Sequence, residues 1–102
     1  MKTIYLKKFG NVLVSRPSGL EAFNAIRSTL DPREAVQIDF EDILTVTPSW
    51  FDEFLTRLAD YTGGNVELLP TENASVLAIL PVLKMAREDD VALIVRRALA
   101  RM

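Results

Sequence analysis

The chain has 102 residues, 49% hydrophobic and 25% charged, the composition of an ordinary globular domain rather than a disordered, fibrous or membrane-embedded one. Twelve basic against fourteen acidic residues leave a formal charge of −2, which gives no electrostatic footprint for a phosphate backbone and argues against nucleic acid as a partner. With no cysteine and no histidine, thiol nucleophiles, disulfides, Cys/His zinc sites, Ser-His-Asp triads and histidine phosphotransfer are excluded.

Taken in order, Ile4-Tyr5-Leu6 and Val12-Leu13-Val14 are short β-type runs on either side of Phe9-Gly10-Asn11, whose Gly-Asn pair is a turn signal. The pattern predicts an N-terminal hairpin. From Pro17 to Leu30, Leu20, Phe23, Ile26 and Leu30 recur at helical spacing, with Ser18 and Glu21 placed as a capping box and Pro32 just beyond. Ala35 to Phe40 reads as a strand running into an acidic loop. Trp50 to Tyr61 then carries an apolar stripe of Trp50, Phe51, Phe54, Leu55, Leu58 and Ala59 opposite Asp52, Glu53, Thr56, Arg57 and Asp60. Gly63-Gly64 ends that helix, and Val66 to Leu69 is the next strand.

Strands alternating with helices predict an α/β domain with a mostly parallel sheet and helices packed against it. Val76 to Leu83 fits either a helix kinked at Pro81 or a short strand followed by a helix that starts there. Asp89 to Arg101 is a helix with acids at its start, arginines at its end and a stripe of Val91, Ile94, Val95 and Leu99. That stripe is expected to pack on the domain's own core, with a homodimer surface as the other reading.

No linker, repeat or low-complexity segment divides the chain, so a single domain over 1–102 is expected. Met1 to Lys8 lacks the apolar length and cleavage site of a signal peptide. The longest apolar stretch, Ala74 to Leu83, contains Ser75 and Pro81 and falls short of the ~20 residues a membrane span needs. A cytoplasmic protein without a membrane partner is the expectation, and the lack of cysteine fits a reducing compartment.

The segment that bears on function is Ala35 to Leu58, where a strand ends at Asp39 and Thr47-Pro48-Ser49 opens a helix. Ser49 can cap that helix with Asp52 as a capping-box analogue, or Thr47 can cap it with Pro48 at the first position. A hydroxyl there also lies near unpaired N–H groups and the positive end of the macrodipole, where a phosphate can be accommodated, although Asp52 and Glu53 oppose it. Asp39, Glu41, Asp42, Asp52 and Glu53 supply enough carboxylates for Mg²⁺. The preferred reading is a strand-end acid holding loop N–H groups beside a solvated acidic face, with no metal site, no cofactor and no catalytic residue. Arg16 could reach a phosphate, a nucleotide or a partner carboxylate, or could simply lie exposed. Trp50 is either core or, if it points outward beside Ser49, a docking anchor.

The run Thr47 to Glu53, Thr-Pro-Ser-aromatic-x-Asp-Glu, resembles the STAS-like proteins, small relatives of the sulfate transporter and anti-sigma factor antagonist domains. Gly10, Leu13-Val14-Ser15-Arg16 and Gly19 are similar to the same branch, so the resemblance covers residues 8–86 and leaves out the final helix at 88–102. It implies a STAS-like fold and a non-catalytic regulatory domain that binds another protein, a serine kinase with a histidine-kinase-like ATPase fold. In anti-sigma factor antagonists such a kinase phosphorylates the second residue of a Ser-Ser or Ser-Thr pair and so switches partners. Ser49 falls on that phosphoacceptor, while Thr47 stands where those domains have an Asp and Pro48 replaces the first hydroxyl. The resemblance, together with the residue types, makes Asp39, Thr47, Pro48, Trp50, Asp52, Glu53 and Arg16 the partner-binding candidates. The alternatives are a nucleotide or small-ligand domain, Mg²⁺-dependent phosphotransfer through Asp39, and an oligomerisation module built on the final helix.

Overall fold

The computed structural model describes residues 1–86 and 89–102. Strands β1 (Lys2–Tyr5), β3 (Val36–Asp39) and β5 (Val66–Leu68) form a parallel sheet in the order β1-β3-β5, and β2 (Val12–Leu13) and β4 (Thr45–Val46) form a second parallel pair. Register aligns Ile4 with Ile38 and Ile38 with Leu68, so one apolar row crosses the three-stranded sheet and is buried along its length.

The expected N-terminal hairpin is absent. β1 and β2 do not pair with each other; each lies parallel to a strand that follows the first helix. Between them Leu6–Phe9 form a 3-10 turn, and Gly10 at φ 116° leads the chain onward instead of reversing it. This turn buries Leu6 completely and lays Phe9 against Trp50 and Phe54, with ring centroids 6.2 and 5.7 Å apart. Burial of these two side chains outweighs the local turn preference of Gly10-Asn11.

Helix α1 (Arg16–Ile26) continues as a 3-10 turn over Arg27–Thr29. Its cap is Ser15 rather than Ser18: the Ser15 hydroxyl accepts the Ser18 N–H at 3.3 Å. Pro17 sits in the first turn, where a missing N–H costs nothing, so the helix starts ahead of the expected box. Helix α2 (Pro48–Thr62) buries the predicted stripe and ends at Gly63, whose φ of 65° and ψ of 30° favour a residue without Cβ.

The 74–86 region is one helix, α3 (Ala74–Ala86), with Pro81 inside it. Its start is tied down by Asn73, whose side-chain oxygen accepts the Val76 N–H at 3.0 Å while its amide donates to the Ile43 carbonyl. Helix α4 (Asp90–Arg101) is capped by Asp89, and its Val91, Ile94, Val95 and Ala98 are buried in the common core. The stripe therefore packs on the domain's own core, with Leu99 partly buried against it. Among the described residues no helix is long and apolar enough to cross a membrane.

Two sheet edges are covered. Arg97 and Arg101 of α4 donate to the Val66 and Leu68 carbonyls of β5 at 3.0 and 3.1 Å. At β4, the Ser75 hydroxyl accepts the Val46 N–H at 2.9 Å and donates to the Val46 carbonyl at 3.0 Å.

Candidate functional site

The N-termini of α1 and α2 meet at one corner of the molecule. β4 leads into α2 through Thr47, whose N–H donates to the Leu13 carbonyl at 2.9 Å and so extends the β2–β4 ladder to the helix start. The Thr47 hydroxyl accepts the Trp50 N–H at 3.4 Å and is the N-cap, with Pro48 at the first helical position. Ser49 follows, exposed, and its hydroxyl makes no hydrogen bond among the described residues.

Trp50 points inward. It is 1% exposed and stacks on Phe54 with ring centroids 5.0 Å apart, so the docking-anchor reading of this residue is corrected to core. Its backbone is packed as closely as its ring. A Cβ on Gly19 of α1 would strike the Trp50 carbonyl oxygen and stand 3.2 Å from the carbonyl carbon, so glycine lets the two helix starts touch.

Charge at the corner is compensated internally. Arg16 donates to Asp52 Oδ2 at 2.9 Å and to Glu53 Oε2 at 3.1 Å, bridging the first turns of α1 and α2. Glu53 also accepts from Arg57 Nε at 3.1 Å, one helical turn further on. The hydrogen bonds to Asp52 and then to Glu53 push the Arg16 guanidinium further above its already high value, so it is a cation at any working pH. Asp52 and Glu53 are thus held carboxylates, with side chains 15% and 13% exposed, rather than members of an open acidic face.

The remaining acids form a separate group. Asp39 at the end of β3 accepts the Glu41 N–H at 2.8 Å, the strand-end role expected of it. Glu41 and Asp42 face Lys7 Nζ at 3.2 and 3.5 Å, and the hydrogen bond to Glu41, followed by the charges of both acids, raises the Lys7 pKa. Among the described residues no group of three or more acids is arranged to hold a metal ion.

The structure therefore brings Arg16, Thr47, Pro48, Ser49, Asp52 and Glu53 to one corner and gives Asp39 a local backbone role. Sequence reasoning passed over Lys7, Ser15 and Arg57. Lys7 lies just past the Tyr5–Asp39 pairing that ends the β1–β3 ladder, and the turns that follow bring it to Glu41 and Asp42, 34 and 35 residues on, so no local pattern marks it. Comparison of the chain with protein-family models, with curated proteins and with solved structures finds no match.

Proposed function

We propose that the chain is a regulatory protein–protein interaction domain, resembling the STAS-like and anti-sigma factor antagonist domains, that changes partners when Ser49 is phosphorylated. The observation that supports this reading best is the division of labour at the start of α2. Thr47 caps the helix, so capping does not account for the exposed hydroxyl two residues later.

A phosphate on Ser49 would carry a charge of about −1.5 to −2 close to the first N–H groups of α2. Residues three and four positions on lie on the same helical face, which are Asp52 and Glu53. Arg16 is the cation those two carboxylates share. Phosphorylation adds a third anion beside a guanidinium that Asp52 and Glu53 already share, with Arg57 also holding Glu53, which loosens the tie between α1 and α2 and leaves the corner more acidic. A partner that docks on the neutralised corner is expelled, and one that carries cations is admitted. The partner class implied by the resemblance is a serine kinase with a histidine-kinase-like ATPase fold, and the domain needs no cofactor of its own for this task.

The test uses wild type, Ser49→Ala and Ser49→Asp as baits in cell lysate, with mass spectrometry reading both retained proteins and phosphate. The expected result is a kinase-like ATPase held by Ser49→Ala and lost with Ser49→Asp, with phosphate mapping to Ser49 of the wild type. Identical retention by all three baits, with Ser49 unmodified, overturns the switch.

A further inference from the structure

β2 presents an edge that is left open, in contrast to β4 and β5. The Asn11 and Leu13 carbonyls are turned toward β4, accepting the Thr45 N–H at 3.1 Å and the Thr47 N–H at 2.9 Å. The trans peptides then turn the N–H groups of Val12 and Val14 the other way, and alternation along β2 turns the Val12 carbonyl with them. Among the described residues these groups have no hydrogen-bond partner, and the two side chains are 55% and 45% exposed.

Alongside runs an open groove of about 350 Å³ between β2 and α1, floored by Phe9, Leu13, Ala22 and Trp50. Ala22 and Ala25 leave the room for it on the helix side. Glu21 is the charged side chain of its lining, and it has no ion-pair partner among the described residues.

We propose that this edge and groove bind an extended segment of a partner protein, which adds as a strand beside β2, places an apolar side chain in the groove and sets a lysine or arginine against Glu21. Main-chain pairing with Val12 and Val14 supplies affinity, and the groove and carboxylate supply selectivity. A second copy is the poorer occupant, because its run from Asn11 to Ser15 carries no basic residue to answer Glu21 and the Arg16 that follows is held by Asp52 and Glu53. The site does not depend on the modification of Ser49.

A display library of random heptapeptides, selected on the wild-type chain, provides the probe. Enriched peptides are expected to alternate apolar residues and to carry Lys or Arg. Val14→Pro removes one outward N–H while sparing the Leu13 bonds to β4, and proline is tolerated on an open edge. It is expected to weaken the selected peptides about tenfold. Ala25→Phe fills the groove from an exposed position and should cause the same loss with an unchanged melting temperature. Glu21→Lys should turn the selection toward acidic peptides, whereas Ser49→Ala should select the same ones as wild type. The proposal is overturned if the library yields no enrichment, or if the selected peptides bind Val14→Pro and Ala25→Phe as tightly as wild type. Sedimentation showing a dimer that Val14→Pro dissolves would also overturn it, by giving the edge to a second copy.

Discussion

The Thr47 hydroxyl accepts the Trp50 N–H, whereas the Ser49 hydroxyl, two residues on, is exposed and outside the capping geometry. Losing an N-cap costs about 1 kcal/mol, and an exposed substitution away from such a feature stays within about 0.5 kcal/mol. Thr47→Ala is therefore expected to lower the unfolding free energy by about 1 kcal/mol and Ser49→Ala to leave it nearly unchanged, as urea titration would measure. The reverse order would make Ser49 the cap and remove the main support for its role as a switch. The sequence contained both hydroxyls at workable spacing, and a choice between them needs the position of the first helical residue. Pro48, which has no N–H to lose, is the residue that sets it. Trp50 shows the same kind of ambiguity: its bulk at a helix start suits either a core or a docking face, and only the neighbouring Phe9 and Phe54 rings decide for the core.

At the scale of elements, what was legible locally was what local chemistry determines. The acidic start and apolar stripe of α4, the glycine stop after α2 and the strands at β3 and β5 were all written in short stretches of chain. The hairpin was misread because two β-type runs around Gly-Asn look the same whether they pair with each other or with later strands. The single helix over α3 was undecidable because its start depends on Asn73 and Ser75 bonding to Ile43 and Val46, which lie about thirty residues upstream. For α4 the stripe has a measurable consequence. Ile94 is 1% exposed and Leu93 is 48% exposed, on adjacent positions of one helix. Ile94→Ala is expected to cost about 2–4 kcal/mol in urea unfolding, and Leu93→Ala under about 1 kcal/mol. Comparable losses for the two would mean that the outward face of α4 is also covered, and that the helix has a partner besides its own core.

The whole molecule joins both sheets through one core. Ile4, Val36 and Val66 from the three-stranded sheet, Leu13 and Val46 from the strand pair, and Trp50 and Val95 from the helices belong to the same buried cluster. The radius of gyration, 12.1 Å, is close to the ~13 Å expected of a compact domain of this length. The ion pairs follow the same long-range logic, since Lys7–Glu41 and Arg16–Asp52 join residues 34 and 36 apart in sequence. Parallel register brings such residues together, and no local pattern announces it. A shared core of this kind should unfold in one step, even though the strand pair is short and pairs only with itself. The chain has a single tryptophan, and Trp50 lies against Phe9 and Phe54 beside β2, so its fluorescence reports on the corner that carries the strand pair. Far-UV circular dichroism reports on all the helices at once. The two signals are expected to share one urea midpoint, with a slope of about 1–3 kcal/mol per molar. A fluorescence midpoint well below the circular dichroism midpoint would instead mean that β2, β4 and the start of α2 open as a unit of their own, ahead of the three-stranded sheet.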